Sequence, residues 1–257
     1  MSLLTLAFAL LSVGVTFSQT SLPPTSLFGK EVFKMNAEEK LNKYAEQLAL
    51  CDIHVNAPED YKTVNMTGNE LITNNISSTW NDSYPGYDYC QVALEDIDKN
   101  SIILFPNLMF VYPNTALRAS YTVIDELQAV NHDFEMDVTP LVKAYYNTDK
   151  SSFAGADTIV VYEFKFENKL FDNYEYCVGV YLRSESHPAV PMKIALTKDA
   201  YEDKEKYIKL LLDCIRFGDE PNEIFLKAEN ETKGIKDQLF YSDLELLGIS
   251  ELTKTLQ

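Results

Sequence analysis

One stretch of the chain, residues 157–184, decides the fold and reads DTIVVYEFKFENKLFDNYEYCVGVYLRS. From Tyr162 to Glu167 aromatic residues alternate with charged ones, a period of two that predicts a strand with one apolar and one polar face. A turn is expected at 169–173, and the run YEYCVGVYLRS after it predicts a returning strand. The stretch therefore predicts an antiparallel hairpin.

An amphipathic helix is predicted after the hairpin, over residues 200–217, with Gly218 as its stop. A connector broken by prolines joins the two, and Asp199 with Glu202 forms a capping-box pattern at the helix start. Cys214 lies beside the apolar stripe, where it could join the helix to a sheet. A short strand is expected at 223–228.

The first half of the chain predicts one short helix followed by strands. Asn36 and Glu39 form a capping-box pattern before an apolar stripe that ends near Cys51. Strands are expected at Tyr61–Val64, 84–97 and 101–112, with a turn at 98–100. The pattern indicates a mainly β, α+β protein with antiparallel sheets, a short N-terminal helix and a C-terminal helix.

Residues 1–18 carry no charge and are mostly apolar, which predicts a secretory signal peptide cleaved near Ser18. The alternative is an N-terminal membrane anchor, but the run is short for a bilayer span. We expect a secreted, extracellular protein with no membrane span, formed by one β-rich domain at 19–231 and a tail at 232–257.

The net charge of −17 bears on which partners the protein can have. Phosphate binding requires clustered Lys and Arg, so nucleic acid is not expected as a partner. An acidic protein attracts cationic ligands instead.

Four cysteines in a secreted chain, Cys51, Cys90, Cys177 and Cys214, predict two disulfides with three possible pairings. The three histidines, His54, His132 and His187, lie far apart, and no CxxC occurs, so no metal site is expected.

Four N-x-S/T sequons predict N-glycosylation at Asn65, Asn75, Asn81 and Asn230. Three of them are close together in a polar, turn-rich stretch. This clustering indicates a glycosylated surface loop.

The sequence has none of the usual catalytic motifs, such as GxSxG, HExxH or a Walker loop. His132-Asp133 and the acidic pairs Glu95-Asp96 and Asp125-Glu126 are interpreted as solvated surface groups rather than as catalytic acids, bases or calcium ligands. We therefore expect no enzyme activity and no cofactor.

Three segments resemble the lipocalins, most closely the α1-acid-glycoprotein-like and apolipoprotein M-like group. The order TIVVYEFKF, CVGVYLRS and EKYIKLLLDCIRFGDEPNEIFLKA resembles the final hairpin, helix and last strand of that family. Cys214 resembles the helix cysteine of the family, and Cys90 its mid-barrel cysteine. Gly29 matches the N-terminal Gly-x-Trp signature, but Glu31 stands in place of its Trp.

This resemblance implies an antiparallel lipocalin-like barrel that binds a small hydrophobic or amphipathic ligand, and the acidic balance favours a cationic one. The function would be transport or sequestration, with a few hydroxyls or carboxylates orienting the ligand. The expected cavity-wall residues are Tyr162, Phe164, Phe166, Val178 and Val180. The aromatic row itself is interpreted first as a packed core face, and second as the aromatic wall of such a cavity.

The second hypothesis is a secreted protein-interaction module with no internal ligand. Its partner would be a secreted or cell-surface protein, and it predicts a filled core together with an exposed binding patch.

Overall fold

A computed structural model describes residues 35–49, 51–65, 90–106, 135–146, 153–184 and 186–219, with single positions between 123 and 133. The expected signal peptide at 1–18, the strand at 223–228 and the tail at 232–257 lie outside the described residues.

The helices of the described chain are α1 Ala37–Ala49, α2 Lys198–Glu202 and α3 Lys204–Asp213. The strands are β1 Ile53–Val55, β2 Tyr61–Val64, β3 Cys90–Asp96, β4 Ser101–Pro106, β5 Val142–Tyr146, β6 Thr158–Leu170, β7 Tyr174–Ser184, β8 His187–Leu196 and β9 Ile215–Phe217.

Seven of these strands form one antiparallel sheet in the order β2-β3-β4-β8-β7-β6-β5, while β1 and β9 form a separate two-stranded ribbon. The prediction of a mainly β protein with antiparallel sheets and a few helices is confirmed. In the described part of the chain, β2 and β5 each pair on one side only, so these strands do not close into a barrel.

One face of the sheet, called the helical face below, is covered by α1, α3 and the β1–β9 ribbon. Tyr44 and Leu48 of α1 and Leu211 of α3 are fully buried against it. Val161 of β6 belongs to the same cluster. This burial explains why the two helices have apolar stripes.

The opposite face, called the aromatic face below, is covered by residues between 123 and 142. Val123, Leu127 and Val138 form one buried cluster there with Tyr162 and Phe164 of β6. Both faces of the sheet are therefore buried, so the central strands read as almost continuous apolar runs.

The hairpin and the first helix have the local structure that the sequence predicts. β6 and β7 pair antiparallel, and the turn between them places Phe171 and Asp172 at positive φ values of 50° and 59°. At the start of α1, the Glu39 N–H donates to Asn36 Oδ1 at 2.9 Å, and the Asn36 N–H donates to Glu39 Oε2 at 2.8 Å. This reciprocal pair is the expected capping box.

The predicted helix at 200–217 is wrong in its bounds. It is two helices interrupted at Asp203, and Thr197 caps the first by accepting from the Ala200 N–H at 3.2 Å, in place of Asp199. Helix α3 ends at Asp213 because the next residues pair with β1, from Val55↔Ile215 to Ile53↔Phe217. A long-range pairing therefore ends the helix before Gly218.

The proline-broken connector is in fact the central strand β8. Its pairing with β4 runs from Leu196 to Lys193, so among the described strands Pro191 pairs with β7 alone. A proline can be accommodated at a strand position that has a ladder on one side only.

Gly179→Ala should destabilise the fold, because a Cβ at this position would lie 2.1 Å from Tyr162 Cζ across the β6–β7 pair. Overpacking of this kind costs about 1–3 kcal/mol in the free energy of unfolding. Urea denaturation would measure the loss. In a Tyr162→Ala background the same change should be close to neutral, and an equal loss in both backgrounds would contradict the ring contact.

Candidate functional site

The five expected cavity-wall residues do not lie on one face. Tyr162, Phe164 and Phe166 are on the aromatic face, whereas Val178 and Val180 belong to the core of the helical face. The register explains this split. Val178 pairs with Glu163, so these two side chains lie on the same face of the sheet. Tyr162 and Phe164 flank Glu163 along β6, so their side chains point to the opposite face. The five residues therefore cannot line a single cavity.

The aromatic row forms a packed core face. Tyr162 and Phe164 stack with ring centres 6.4 Å apart, and Phe164 meets Phe166 edge-on at 5.4 Å. All three side chains are buried. These distances are typical of aromatic pairs in protein interiors.

A different group of side chains comes together on the outer part of the helical face. Glu163 of β6 accepts from the Tyr201 hydroxyl of α2 and from Lys204 Nζ of α3, the latter at 2.5 Å, through the same carboxylate oxygen. Tyr176 of β7 stacks on Tyr201 with ring centres 4.2 Å apart and planes 10° apart. We call Glu163, Tyr176, Tyr201 and Lys204 the tyrosine cluster.

Lysine side chains lie over both rings of the tyrosine cluster. Lys204 Nζ lies 4.8 Å from the centre of the Tyr201 ring, and Lys165 Nζ lies 5.5 Å from that of Tyr176. Lys169 Nζ contacts the Glu175 carboxylate at 2.8 Å. The surface is thus tyrosine-rich and carries charges of both signs.

The Glu163 carboxylate is held in its ionised form. Burial alone would raise its pKa, but the hydrogen bonds from Lys204 and Tyr201 and the charges of Lys204 and Lys143 bring the pKa below its ordinary value of 4.5. Burial and the neighbouring Glu163 raise the pKa of Tyr201, so its hydroxyl stays protonated as the donor. A carboxylate that is held ionised by two donors is suited to fixing the surface rather than to proton transfer.

In the sequence, Glu163 is only one of the charged residues on the polar face predicted for β6. The alternation of β6 does indicate its side, but not the docking of Tyr201 from a segment 38 residues away. The available signal for Tyr201 is its place in the apolar stripe of the helix predicted at 200–217, which indicates a side chain that faces the sheet.

A second polar group, which no sequence motif indicates, lies at the β7–β8 turn. His187 Nδ1 is 3.2 Å from Ser184 Oγ and 3.0 Å from Ser186 Oγ, and the imidazole packs on Phe217. The imidazole is buried. Because both contacts fall within one tight turn, we interpret the group as a brace of that turn.

The predicted two disulfides are not present among the described cysteines. Cys51 and Cys214 are buried thiols in the core of the helical face, and the Cys214 thiol donates to the Leu210 carbonyl at 3.2 Å. Cys177 is buried on the aromatic face, so the sheet separates it from both. The side chain of Cys90 lies outside the described residues.

Of the four expected glycosylation sites, one lies among the described residues. Asn65 is exposed and follows directly after β2, whereas Asn75, Asn81 and Asn230 lie outside the described residues.

His132 also lies outside the described residues. Over the described positions, no group of three or more His, Cys, Asp or Glu side chains is placed to hold a metal ion. None of the helices in that part of the chain is both long and apolar enough to cross a membrane.

No protein-family model and no curated protein matches this chain. A solved structure of PsbP from the cyanobacterium Synechocystis is similar at 10% identity and a TM-score of 0.33, over 65% of this chain and 87% of that one. The expected membership of the lipocalins is therefore wrong, since this neighbour is not a lipocalin and no comparison supports that family. At this TM-score the likeness carries no argument about function.

Cys51 and Cys214 should resist alkylation in the native protein. Burial raises the pKa of Cys51 to about 11, and burial together with the Asp213 charge raises that of Cys214 to about 12, so both thiols stay protonated at neutral pH. Mass spectrometry after iodoacetamide treatment should show neither labelled in buffer and both labelled in urea. Labelling in urea only after a reductant is added would instead demonstrate disulfides.

Glu163→Gln should destabilise the protein at neutral pH by about 1–2 kcal/mol, since it removes a charge that is only partly exposed to solvent. Because the folded-state pKa lies below 4.5, the ionised carboxylate stabilises the fold above pH 4.5, and this contribution is lost as the pH falls through the folded-state pKa.

Urea denaturation between pH 3 and 7 would compare this variant with Glu46→Gln, which removes the carboxylate of the exposed Lys43–Glu46 pair. The control should stay close to wild type throughout. A difference for Glu163→Gln that does not shrink toward pH 3 would contradict this role of the charge.

Proposed function

We propose that this protein is a secreted glycoprotein that acts by binding another protein through its surface, without catalysing a reaction. The apolar leader at 1–18 and the four sequons support secretion. The observation that carries the proposal is the tyrosine cluster, a half-buried aromatic surface stabilised by a carboxylate that accepts from two donors.

The composition of the tyrosine cluster fits a binding surface. Tyrosine supplies a large contact area at low cost in side-chain entropy, and it is enriched among the residues that dominate interface energy. The stacking of Tyr176 on Tyr201 and the hydrogen bond to Glu163 fix both rings before a partner arrives. A surface preorganised in this way loses less entropy on binding.

The partner we propose is a secreted or cell-surface protein with a polar, mixed-charge surface. Lys165 and Lys169 are exposed beside the cluster and suit carboxylates at its rim. The strongly acidic balance of the whole chain makes an acidic partner unfavourable away from this patch.

A second candidate function is the binding of a small hydrophobic or amphipathic ligand against the aromatic face. It is favoured by the row Tyr162, Phe164 and Phe166, which lies under the segment between residues 123 and 142.

Native mass spectrometry of the full chain, secreted from eukaryotic cells, separates the two candidates. Surface binding predicts a mass equal to the glycoprotein alone and no displacement of a fluorescent apolar probe. A stoichiometric extra mass that Phe164→Ala removes and Tyr176→Ala retains would overturn the proposal in favour of the internal ligand.

Tyr176→Ala should weaken binding to the protein partner by at least about tenfold, as expected for an interface hot spot. Biolayer interferometry against extracellular protein fractions would measure the loss, with circular dichroism as the folding control. Ile97→Ala removes an exposed apolar side chain at the β3–β4 turn and serves as the matched control, expected to bind like wild type. Equal binding by all three proteins would contradict a role for the cluster.

A further inference from the structure

We infer that Asn65 carries an N-linked glycan that shields strand β2, the edge of the sheet among the described strands, from pairing with a second copy of the chain. The inference rests on the proposed secretion, because the glycan is added in the secretory pathway. It assigns the sequon at Asn65 a structural task that the sequence motif alone does not indicate.

Asn65 lies at the end of β2, which is the edge strand of the described sheet. Strand β2 pairs with β3 from Tyr61↔Asp96 to Val64↔Ala93, and β3 is its one partner among the described strands. Asn65 follows the last paired residue directly, is exposed and lies outside the ladder. A glycan on this side chain can therefore extend into solvent without displacing a ladder hydrogen bond.

Strand β2 itself has few of the features that protect the edge of a sheet from pairing with another chain. An edge strand presents N–H and C=O groups that can pair with another chain, and proteins protect such edges with charges, bulges, prolines or covering segments. Thr63 and Val64 are β-branched residues with high strand propensity, and Lys62 is the one exposed charge among the four residues of β2. A bulky hydrophilic group at the end of β2 would block an approaching strand where the charges are sparse.

The modification is a glycosyl transfer to the Asn65 amide. The N–C bond forms between Nδ2 and the anomeric carbon of an oligosaccharide carried on a lipid pyrophosphate. The bond between that carbon and the pyrophosphate oxygen breaks, and the leaving lipid pyrophosphate takes the proton lost from Nδ2. The hydroxyl of Thr67 completes the sequon.

The test uses the full chain secreted from eukaryotic cells. Peptide mass spectrometry after enzymatic deglycosylation in ¹⁸O water reports occupancy at each of the four sequons. Sedimentation velocity then compares self-association of wild type, Asn65→Gln, Thr67→Ala, Thr67→Ser and Asn230→Gln. Thr67→Ser keeps the sequon, and Asn230→Gln removes a sequon from another part of the chain.

We expect Asn65 to be occupied in wild type and in Thr67→Ser, with both proteins monomeric. Asn65→Gln and Thr67→Ala should self-associate at least about tenfold more tightly, whereas Asn230→Gln should behave like wild type. Hydrogen exchange of the associated species should show new protection at Tyr61–Val64 rather than at β5.

Each contrary result has a separate meaning. If no sequon is occupied, the proposed secretion fails. If other sequons are occupied and Asn65 is bare, secretion stands and this inference is overturned. It is also overturned if Asn65 is occupied but Asn65→Gln and Thr67→Ala remain monomeric, or if the new protection maps to another strand.

Discussion

The burial of both faces of strand β6 is the constraint on which the rest of the structure depends. Ile159 and Val161 belong to the core of the helical face, and Val160 and Tyr162 to that of the aromatic face. A strand with this pattern is stable only if the sheet is covered on both sides. The helices and the β1–β9 ribbon cover one side, and residues between 123 and 142 cover the other. Packed aromatic rings then occupy the place where an internal ligand was expected, and the half-buried tyrosines remain at the margin of the helical face.

The features that depend on neighbouring residues were predicted well from the sequence. Side chains a few positions apart determine three of these features, namely the β6–β7 hairpin, the turn that connects its two strands and the capping box of α1. The alternation along β6 also identified the aromatic face correctly as a candidate core. These patterns are read directly because strand and helix periodicity are local properties of the chain.

The features that depend on distant residues were not predicted. The end of α3 at Asp213 is set by pairing with β1, and the place of Pro191 in β8 is set by where β4 stops pairing. The assignment of Val178 to the same wall as Phe164 failed because inward and outward positions exchange with a shift of one residue in register. The candidate site was missed for the same reason, since Tyr201 reaches Glu163 only after α2 has docked. The lipocalin interpretation depended on the order of elements, which different antiparallel folds can share.

The β1–β9 ribbon has a consequence for the order in which the chain folds. It joins residues near the start and the end of the described chain, with the Asn56 N–H donating to the Cys214 carbonyl at 2.7 Å and the Gly218 N–H donating to the Asp52 carbonyl at 2.7 Å. Three residue pairs cannot repay the loop-closure entropy of such a long intervening segment. We therefore expect the ribbon to form late in folding, after the hairpins have brought its two strands together, because its contacts have a high contact order. During synthesis on the ribosome, β1 can form its native pairs only after β9 has been synthesised.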